Sequence, residues 1–134
     1  YIGTNLCCQV HFEEKLLKDG VTADISMEAE QVDTPFGVEL YLWIPVVDHE
    51  APTTDQFEFG VGALTKLIKM GKRVYLHCQH GHGRSPSLFA AYLIKSKGMD
   101  VDQAIDFIKS KRPTIHLTEA QVKGLQEYKA SLDS

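Results

Sequence analysis

The sequence predicts an α/β domain in which helices flank a central, mostly parallel sheet. Short β-branched and aromatic stretches alternate with segments of helical periodicity up to the middle of the chain. Three helical patterns then follow one another after residue 84. In addition, the apolar strand pattern Val74-Tyr75-Leu76 leads directly into a glycine-containing loop. The length of 134 residues suits a single domain over residues 1–134.

Four stretches have the composition of strands, namely residues 1–6, 21–27, 38–47 and 74–76. The third is almost continuously apolar, which predicts a buried strand rather than an exposed edge. We expect its Trp43 in the core, with stacking on a ligand as the alternative.

Helix boundaries are marked by capping residues and glycines. Helices are predicted over residues 9–18 and 87–97, between Thr53 and Gly71, between Asp100 and Lys111, and from Thr118 to Leu132. Capping boxes are predicted for the pairs Thr53 with Gln56 and Thr118 with Gln121. The apolar stripes are expected to be Phe57, Val61, Leu64 and Ile68 in one helix, and Val122, Leu125 and Leu132 in the last.

Composition limits the function classes. The net charge of −4 and pI near 5.8 argue against a nucleic-acid or membrane-surface binder, and no apolar run reaches the length of a membrane span. Three cysteines, with Cys7 and Cys8 adjacent, do not form a disulfide framework. We therefore expect an intracellular, cytoplasmic protein in which Cys7 and Cys8 pack as small apolar groups, with a redox partnership to Cys78 as the alternative. Because the sequence begins at Tyr1 and not at a Met, it leaves undecided whether a leader or N-terminal extension precedes it.

The loop after the strand at residues 74–76 carries the predicted chemistry. Five residues separate Cys78 from Arg84, and two of them are glycine, so that successive backbone N–H groups can point at one anion. Arg84 would add a bidentate guanidinium, and these groups with the following helix N-terminus favour a thiolate at Cys78. The predicted phosphate-binding residues are Gln79, His80, Gly81, His82, Gly83 and Arg84.

The string His77-Cys78-Gln79-His80-Gly81-His82-Gly83-Arg84-Ser85 resembles the signature H-C-x-x-G-x-G-R-[ST] of cysteine-dependent protein tyrosine phosphatases. More narrowly, the chain resembles the small atypical dual-specificity phosphatases, most specifically in this loop and in residues 44–52. The resemblance implies their fold and a metal-independent hydrolysis of phosphotyrosine in proteins through a phosphocysteine, with phosphoserine and phosphothreonine less favoured. It implies no cofactor, a phosphorylated protein as substrate, and a monomer.

Asp48 is the predicted general acid. It lies just past a predicted strand end and matches by position the acid of the family. Its carboxylate would afterwards take a proton from the attacking water. Asp55 and Glu50 are alternatives on the same loop.

Three further residues have predicted supporting roles. Ser85 would donate its hydroxyl to the sulfur, or serve as a helix N-cap. His77 would hold the loop through backbone hydrogen bonds. Gln121 falls where some relatives carry a water-positioning glutamine, although its capping box already accounts for it.

His80 and His82 occupy the variable positions of the loop. Their rings would favour a polyanionic substrate near pH 6, or would face water while their backbone N–H groups bind phosphate. A metal site built from His77, Cys78, His80 and His82 is not expected, because four near neighbours do not match zinc-ligand spacing.

Other functions on the same fold are weaker alternatives. An RNA 5′-triphosphatase would carry Asn at Gly83, and phosphoinositide phosphatases favour loop lysines, which are absent here. An inositol pyrophosphate phosphatase stays open because Lys111-Arg112-Pro113 resembles the basic stretch of those enzymes. A phosphate-binding module without catalysis is disfavoured because Cys78, Arg84 and Asp48 are all present.

Overall fold

The computed structural model describes residues 2–3, 18–30, 37–78 and 83–132, and four strands form its sheet. The strands are β1 (Ile2–Gly3), β2 (Val21–Glu28), β3 (Leu40–Val46) and β4 (Arg73–His77). Their order across the sheet is β1-β4-β2-β3, and each neighbouring pair is parallel. The predicted α/β class with a parallel sheet is confirmed.

Strand β4 is central and sets the position of the predicted nucleophile. Leu76 is aligned with Ile2 of β1 on one side and with Ile25 of β2 on the other. Because β4 has a hydrogen-bonded neighbour on both sides, the chain leaves the sheet at Cys78 from a well-fixed position.

Strand β2 is buried on both of its faces. Since successive side chains of a strand point to opposite faces, its apolar and polar residues separate into two sets. The apolar set, Ala23, Ile25 and Met27, belongs to the main core, whereas Asp24, Ser26 and Glu28 are buried on the other face.

Four helices follow β3, namely α1 (Thr54–Lys69), α2 (Arg84–Lys97), α3 (Val101–Lys111) and α4 (Glu119–Leu132). The predicted capping box of Thr53 with Gln56 is present at α1, and Asp100 forms another with Gln103 at α3. Gly98, with φ of +69°, ends α2 in the left-handed conformation that favours glycine.

Helix α2 lies at the centre of the helical layer. Ten of its side chains are buried, and it packs against α1, α3 and α4. Its approach to α1 is close, because a Cβ added at Gly60 would fall 2.6 Å from Leu88. Phe57, Leu88 and Leu125 join α1, α2 and α4 in one core.

The prediction that residues 38–47 form a fully buried strand is wrong. Among the described strands β3 is an edge, with Leu40 44% and Trp43 39% exposed. Only one set of its alternating side chains, Ile44 and Val46, points into the core. The Trp43 indole N–H donates to the backbone carbonyl of Glu28 at 2.7 Å, which holds the ring at the surface beside β2.

Three helical details also differ from the predictions. Ile68 is 44% exposed, and Leu67 is buried in its place. In α4, Leu132 at the end of the helix is 38% exposed, and Tyr128, one turn earlier, is buried instead. Helix α2 begins at Arg84, two residues before Pro86, which would be its first residue if Ser85 were the N-cap.

Several predictions lie outside the described residues. The first strand is described only over Ile2–Gly3, and the helix predicted for residues 9–18 is outside except for its last residue, as are Cys7 and Cys8. Within the described ranges, none of the helices combines the length and the apolarity needed to cross a bilayer.

Candidate active site

Three reactive or charged side chains follow the carboxyl ends of three neighbouring strands. Cys78 comes directly after β4, Glu30 shortly after β2, and Asp48 shortly after β3. Parallel strands bring their carboxyl ends to one edge of a sheet, which is where open α/β proteins bind ligands. The topology therefore gathers residues from distant parts of the sequence.

Cys78 lies at the base of this edge, beside the first turn of α2. Its side chain is buried, and its Sγ is 3.4 Å from the Ser85 Oγ. Gly83 occupies the N-cap position of α2, so the alternative role of Ser85 as N-cap is not what the structure shows. The Ser85 hydroxyl lies against the sulfur instead.

Arg84 is fully buried and its guanidinium is held by oxygen acceptors. Its Nη1 donates to Glu30 Oε1 at 2.6 Å and to the Val46 carbonyl at 2.7 Å, and its Nη2 donates to Glu30 Oε2 at 3.0 Å. Glu30 therefore binds the end of the guanidinium bidentately. The buried Nε has no hydrogen-bond partner among the described residues. The side edge of the guanidinium is thus left for an anion.

The charges around Arg84 keep it protonated. Burial of the guanidinium works to lower its pKa, but the hydrogen bond with Glu30 and the negative charges of Cys78, Glu30 and Asp48 work in the opposite direction. The pKa of Arg84 consequently lies above its ordinary value, and the side chain remains a cation throughout the accessible pH range.

Asp48 opens a tight turn that brings its carboxylate to Arg84. Its Oδ1 accepts the backbone N–H of His49 at 2.9 Å and lies 3.6 Å from Arg84 Nη2. His49 has a φ of +68°, a conformation uncommon for residues other than glycine. The Asp48 side chain is 38% exposed, so it reaches both the buried guanidinium and solvent.

Helix α4 holds this turn in place. The Thr118 hydroxyl donates to the His49 carbonyl at 2.8 Å, and the Gln121 Nε2 donates to the Glu50 carbonyl at 3.2 Å. The predicted capping box of Thr118 with Gln121 is present, with backbone-to-side-chain distances of 2.9 and 3.2 Å. The cap of α4 therefore also anchors the segment that carries Asp48.

Gln121 also closes the site against the loop before α2. It is 1% exposed, and a Cβ added at Gly83 would fall 2.7 Å from its Nε2. Because real Cβ atoms do not approach polar atoms this closely, the contact requires glycine at position 83. The amide of Gln121 is thus in the site, although its hydrogen bonds with Thr118 and Glu50 are structural.

His77, the last residue of β4, is held by a neighbouring strand and by its own strand. Its Nε2 lies 2.8 Å from Asp24 Oδ1, and both side chains are fully buried. Its ring stacks on Tyr75 with centroids 5.2 Å apart. The structure therefore adds a carboxylate partner on β2 to the predicted supporting role of His77.

The residues that line the resulting cleft are mostly those that the sequence singles out. The cleft has a volume of about 90 Å³. Its described lining consists of Asp48, His49, Cys78, Gly83, Arg84, His116, Thr118 and Gln121. The alternative acids Asp55 and Glu50 do not line it. Gln79, His80, Gly81 and His82 lie outside the described residues, so the predictions on them stay predictions.

With the site assembled, comparison with known proteins gives its family. Residues 1–131 match the family model described as "Dual specificity phosphatase, catalytic domain". The chain belongs to this family. The predicted membership among cysteine-dependent dual-specificity phosphatases is confirmed, and the structure is that of a phosphatase domain.

Individual relatives agree with this assignment. The chain is 33% identical to human "Dual specificity protein phosphatase 2" over 116 residues, which cover 86% of this chain and 37% of that protein. It is 35% identical to "Phosphatidylglycerophosphate phosphatase PTPMT2" of Arabidopsis thaliana over 89 residues, which cover 66% and 39%. The crystal structure of human DUSP28 superposes with a TM-score of 0.84 at 24% identity, covering 98% of this chain and 90% of that one. The phosphatase domain spans less than two fifths of the length of the curated relatives it matches.

Sequence reasoning missed Glu30 and Asp24. Glu30 has no predicted role, yet it forms the bidentate contact to Arg84. Its position just after β2, at the same sheet edge as Cys78, was the available signal. Among the described residues, no group of three or more His, Cys, Asp or Glu side chains is arranged to hold a metal ion.

Proposed function

We propose that this phosphatase domain hydrolyses phosphotyrosine in proteins, and less readily phosphoserine and phosphothreonine, through a phosphocysteine intermediate and without a metal. The observation that carries the proposal is that Cys78, Arg84 and Asp48 line one cleft of about 90 Å³. The three groups supply the nucleophile, the cation for the transferring phosphoryl group, and the proton donor.

In the first step the Cys78 Sγ attacks phosphorus and the bond between phosphorus and the ester oxygen breaks. The free edge of the Arg84 guanidinium binds phosphoryl oxygens, because Glu30 already occupies its other edge. Protonated Asp48 gives its proton to the leaving oxygen, which it can reach because its side chain is partly exposed above Arg84.

In the second step a water molecule attacks the phosphorus of phosphocysteine. The Asp48 carboxylate takes one proton from this water, and the phosphorus–sulfur bond breaks to release inorganic phosphate. The departing sulfur is stabilised by the Ser85 hydroxyl, which lies 3.4 Å away. Arg84 remains charged in both steps, since its pKa is raised.

The deciding experiment is a pH–rate profile on an aryl phosphate in the presence of a chelator. We expect a bell-shaped profile of kcat/KM that the chelator does not change and that Cys78→Ser abolishes. Binding of vanadate without any turnover would contradict the proposal and favour a module that binds phosphate without catalysis.

The role of Asp48 is tested by the leaving group. Asp48→Asn is expected to lower kcat/KM, which reports the steps up to formation of phosphocysteine, about 100-fold for an alkyl phosphate and far less for p-nitrophenyl phosphate, because a good leaving group needs no proton. Asp55→Asn is the matched control, since Asp55 lies in the first turn of α1 and outside the cleft. Equal losses with both substrates would remove Asp48 from the acid role.

A phospholipid phosphomonoester is the second candidate substrate. The observation that favours it is the 35% identity to a protein named phosphatidylglycerophosphate phosphatase. Comparing kcat/KM for a phosphotyrosine peptide and for phosphatidylglycerophosphate in mixed micelles separates the two. A value for the lipid at least about tenfold higher would replace phosphoprotein as the proposed substrate.

A further inference from the structure

A second cavity lies along one face of β4, from Lys72 to Leu76. Its volume is about 430 Å³, and its walls come from α1, β4, α2 and α3. It reaches Lys72 just before β4, whereas Cys78 follows the other end of that strand. The described linings of the cavity and of the active cleft share no residue. The cavity is therefore a separate feature of the domain.

The lining has only two kinds of side chain. Seven lining residues are apolar, and the deeper ones, such as Leu64, Leu76 and Ile108, are buried. The other three, Lys72, Lys111 and Arg112, are cationic and more exposed. No described lining residue is acidic or a neutral hydrogen-bonding group. The cavity thus combines an apolar interior with a cationic mouth.

The apolar interior and the cationic mouth together indicate which class of ligand fits the cavity. A peptide would bring backbone N–H and C=O groups that need partners, and the side chains of the described lining offer no acceptor for the N–H groups. A volume of about 430 Å³ lies within the range of small-molecule pockets. A ligand with one long apolar body and one terminal anion satisfies both kinds of side chain.

Two of the cations at the mouth, Lys72 and Lys111, are accessible to such an anion. The Lys72 Nζ pairs with Glu39 at 2.7 Å, but Glu39 is 58% exposed, and surface pairs of this kind are weak enough to exchange. The Lys111 Nζ lies 6.0 Å from the centroid of the Phe107 ring, itself a lining residue that is 40% exposed. Lys111 is therefore held above the apolar wall by a cation–π contact.

We propose that this cavity binds a long-chain fatty acid, with its alkyl chain between α1, α2 and α3 and its carboxylate at Lys111. The site is independent of the proposed catalytic function, because it lies outside the active cleft.

Displacement of the fluorescent fatty acid cis-parinaric acid from the phosphatase domain tests the proposal. We expect saturable binding that palmitate displaces and that 1-hexadecanol, which has the same chain without the charge, displaces about tenfold less well. Lys111→Glu should weaken binding about tenfold, whereas Lys109→Glu, on the same helix but outside the lining, should change it less than about twofold.

A second pair of variants tests the interior of the cavity. Ile68→Trp enlarges a lining side chain that is 44% exposed and should reduce binding about tenfold; Met70→Trp, exposed and outside the lining, is its control. Hydrolysis of an aryl phosphate reports whether each variant is folded, and Lys111→Glu keeps the test valid if Ile68→Trp does not fold. Equal displacement by palmitate and hexadecanol, or displacement of the probe by vanadate, would overturn the proposal.

Discussion

Arg84 is oriented by protein groups before any substrate arrives. Glu30 and the Val46 carbonyl accept hydrogen bonds from its two terminal nitrogens, while Nε is left without a partner among the described residues. A planar cation fixed in this way does not have to reorient when charge develops on the phosphoryl oxygens. In the proposed mechanism, the acidic residue Glu30 therefore assists anion binding by orienting Arg84.

The importance of Glu30 can be measured with a neutral substitution. Glu30→Gln removes the charge and one acceptor from the bidentate contact, so we expect kcat/KM for an aryl phosphate to fall about 10- to 100-fold. Inhibition by vanadate should weaken in parallel. Glu39→Gln, which alters a surface carboxylate paired with Lys72, serves as control. Unchanged kinetics in Glu30→Gln would mean that Arg84 is held without it.

Gly83 and Gln121 are coupled by their close contact. Gly83→Ala should destabilise the domain by about 1–3 kcal/mol, because Gln121 is buried and hydrogen-bonded to two segments and cannot move aside freely. In the double variant with Gln121→Ala the added methyl group has space, so the two losses should be less than additive in thermal unfolding. Strict additivity would show that the clash is relieved in another way.

At the level of elements, the cap of α4 and the turn at Asp48 act as one unit. Thr118→Val removes the hydroxyl that donates to His49 and accepts from Gln121, so we expect a loss of about 1 kcal/mol in stability. Hydrolysis of an alkyl phosphate should slow more than hydrolysis of p-nitrophenyl phosphate, since the position of Asp48 is disturbed. Thr118→Ser keeps the hydroxyl and should keep both properties. If valine and serine behave alike, the hydroxyl does not position the turn.

Local signals predicted the element boundaries well. The capping boxes at Thr53 and Thr118 and the glycine at 98 act within a few residues, so the sequence shows them directly. The burial of β3 was mispredicted because strand order is a tertiary property. The same apolar run suits a central strand and an edge strand with one buried side.

For the whole molecule, Tyr128 is a core residue whose ionisation lowers the stability of the fold at alkaline pH. Its ring packs on Phe57 with centroids 5.2 Å apart, and its hydroxyl has no hydrogen-bond partner among the described residues. Burial, and then the charge of Glu58, raise the pKa of Tyr128 above its ordinary value. The stability that depends on the neutral phenol is complete below about pH 10 and is lost as the pH rises through the raised pKa.

Tyr128→Phe should therefore change the pH dependence of unfolding. Near pH 7 we expect the variant to be as stable as the parent or more stable by about 1 kcal/mol, because it removes a buried hydroxyl that the described part of the chain leaves without a hydrogen-bond partner. Above about pH 10 its stability should decline less steeply in urea unfolding. Tyr41→Phe, at a half-buried position in β3, is the control. A parallel alkaline decline in Tyr128→Phe and the parent would contradict the role of Tyr128.

The candidate site was predictable where its residues are neighbours in sequence. Cys78, Arg84 and Ser85 lie in one short motif, and Asp48 follows a recognisable strand. Glu30 is 54 residues from Arg84 and Asp24 lies on another strand from His77, so only the parallel sheet brings each pair together. No local pattern of residues encodes such contacts.

The two hydrogen bonds from α4 to the turn at residues 48–50 have a consequence for ligand binding. A segment that is already ordered loses little conformational entropy when a small oxyanion arrives, so more of the contact energy appears as affinity. The same pre-ordering holds for the released phosphate, which resembles the transferring group. We therefore expect that the contacts which position Asp48, the proposed acid, also make inorganic phosphate a competitor of the substrate.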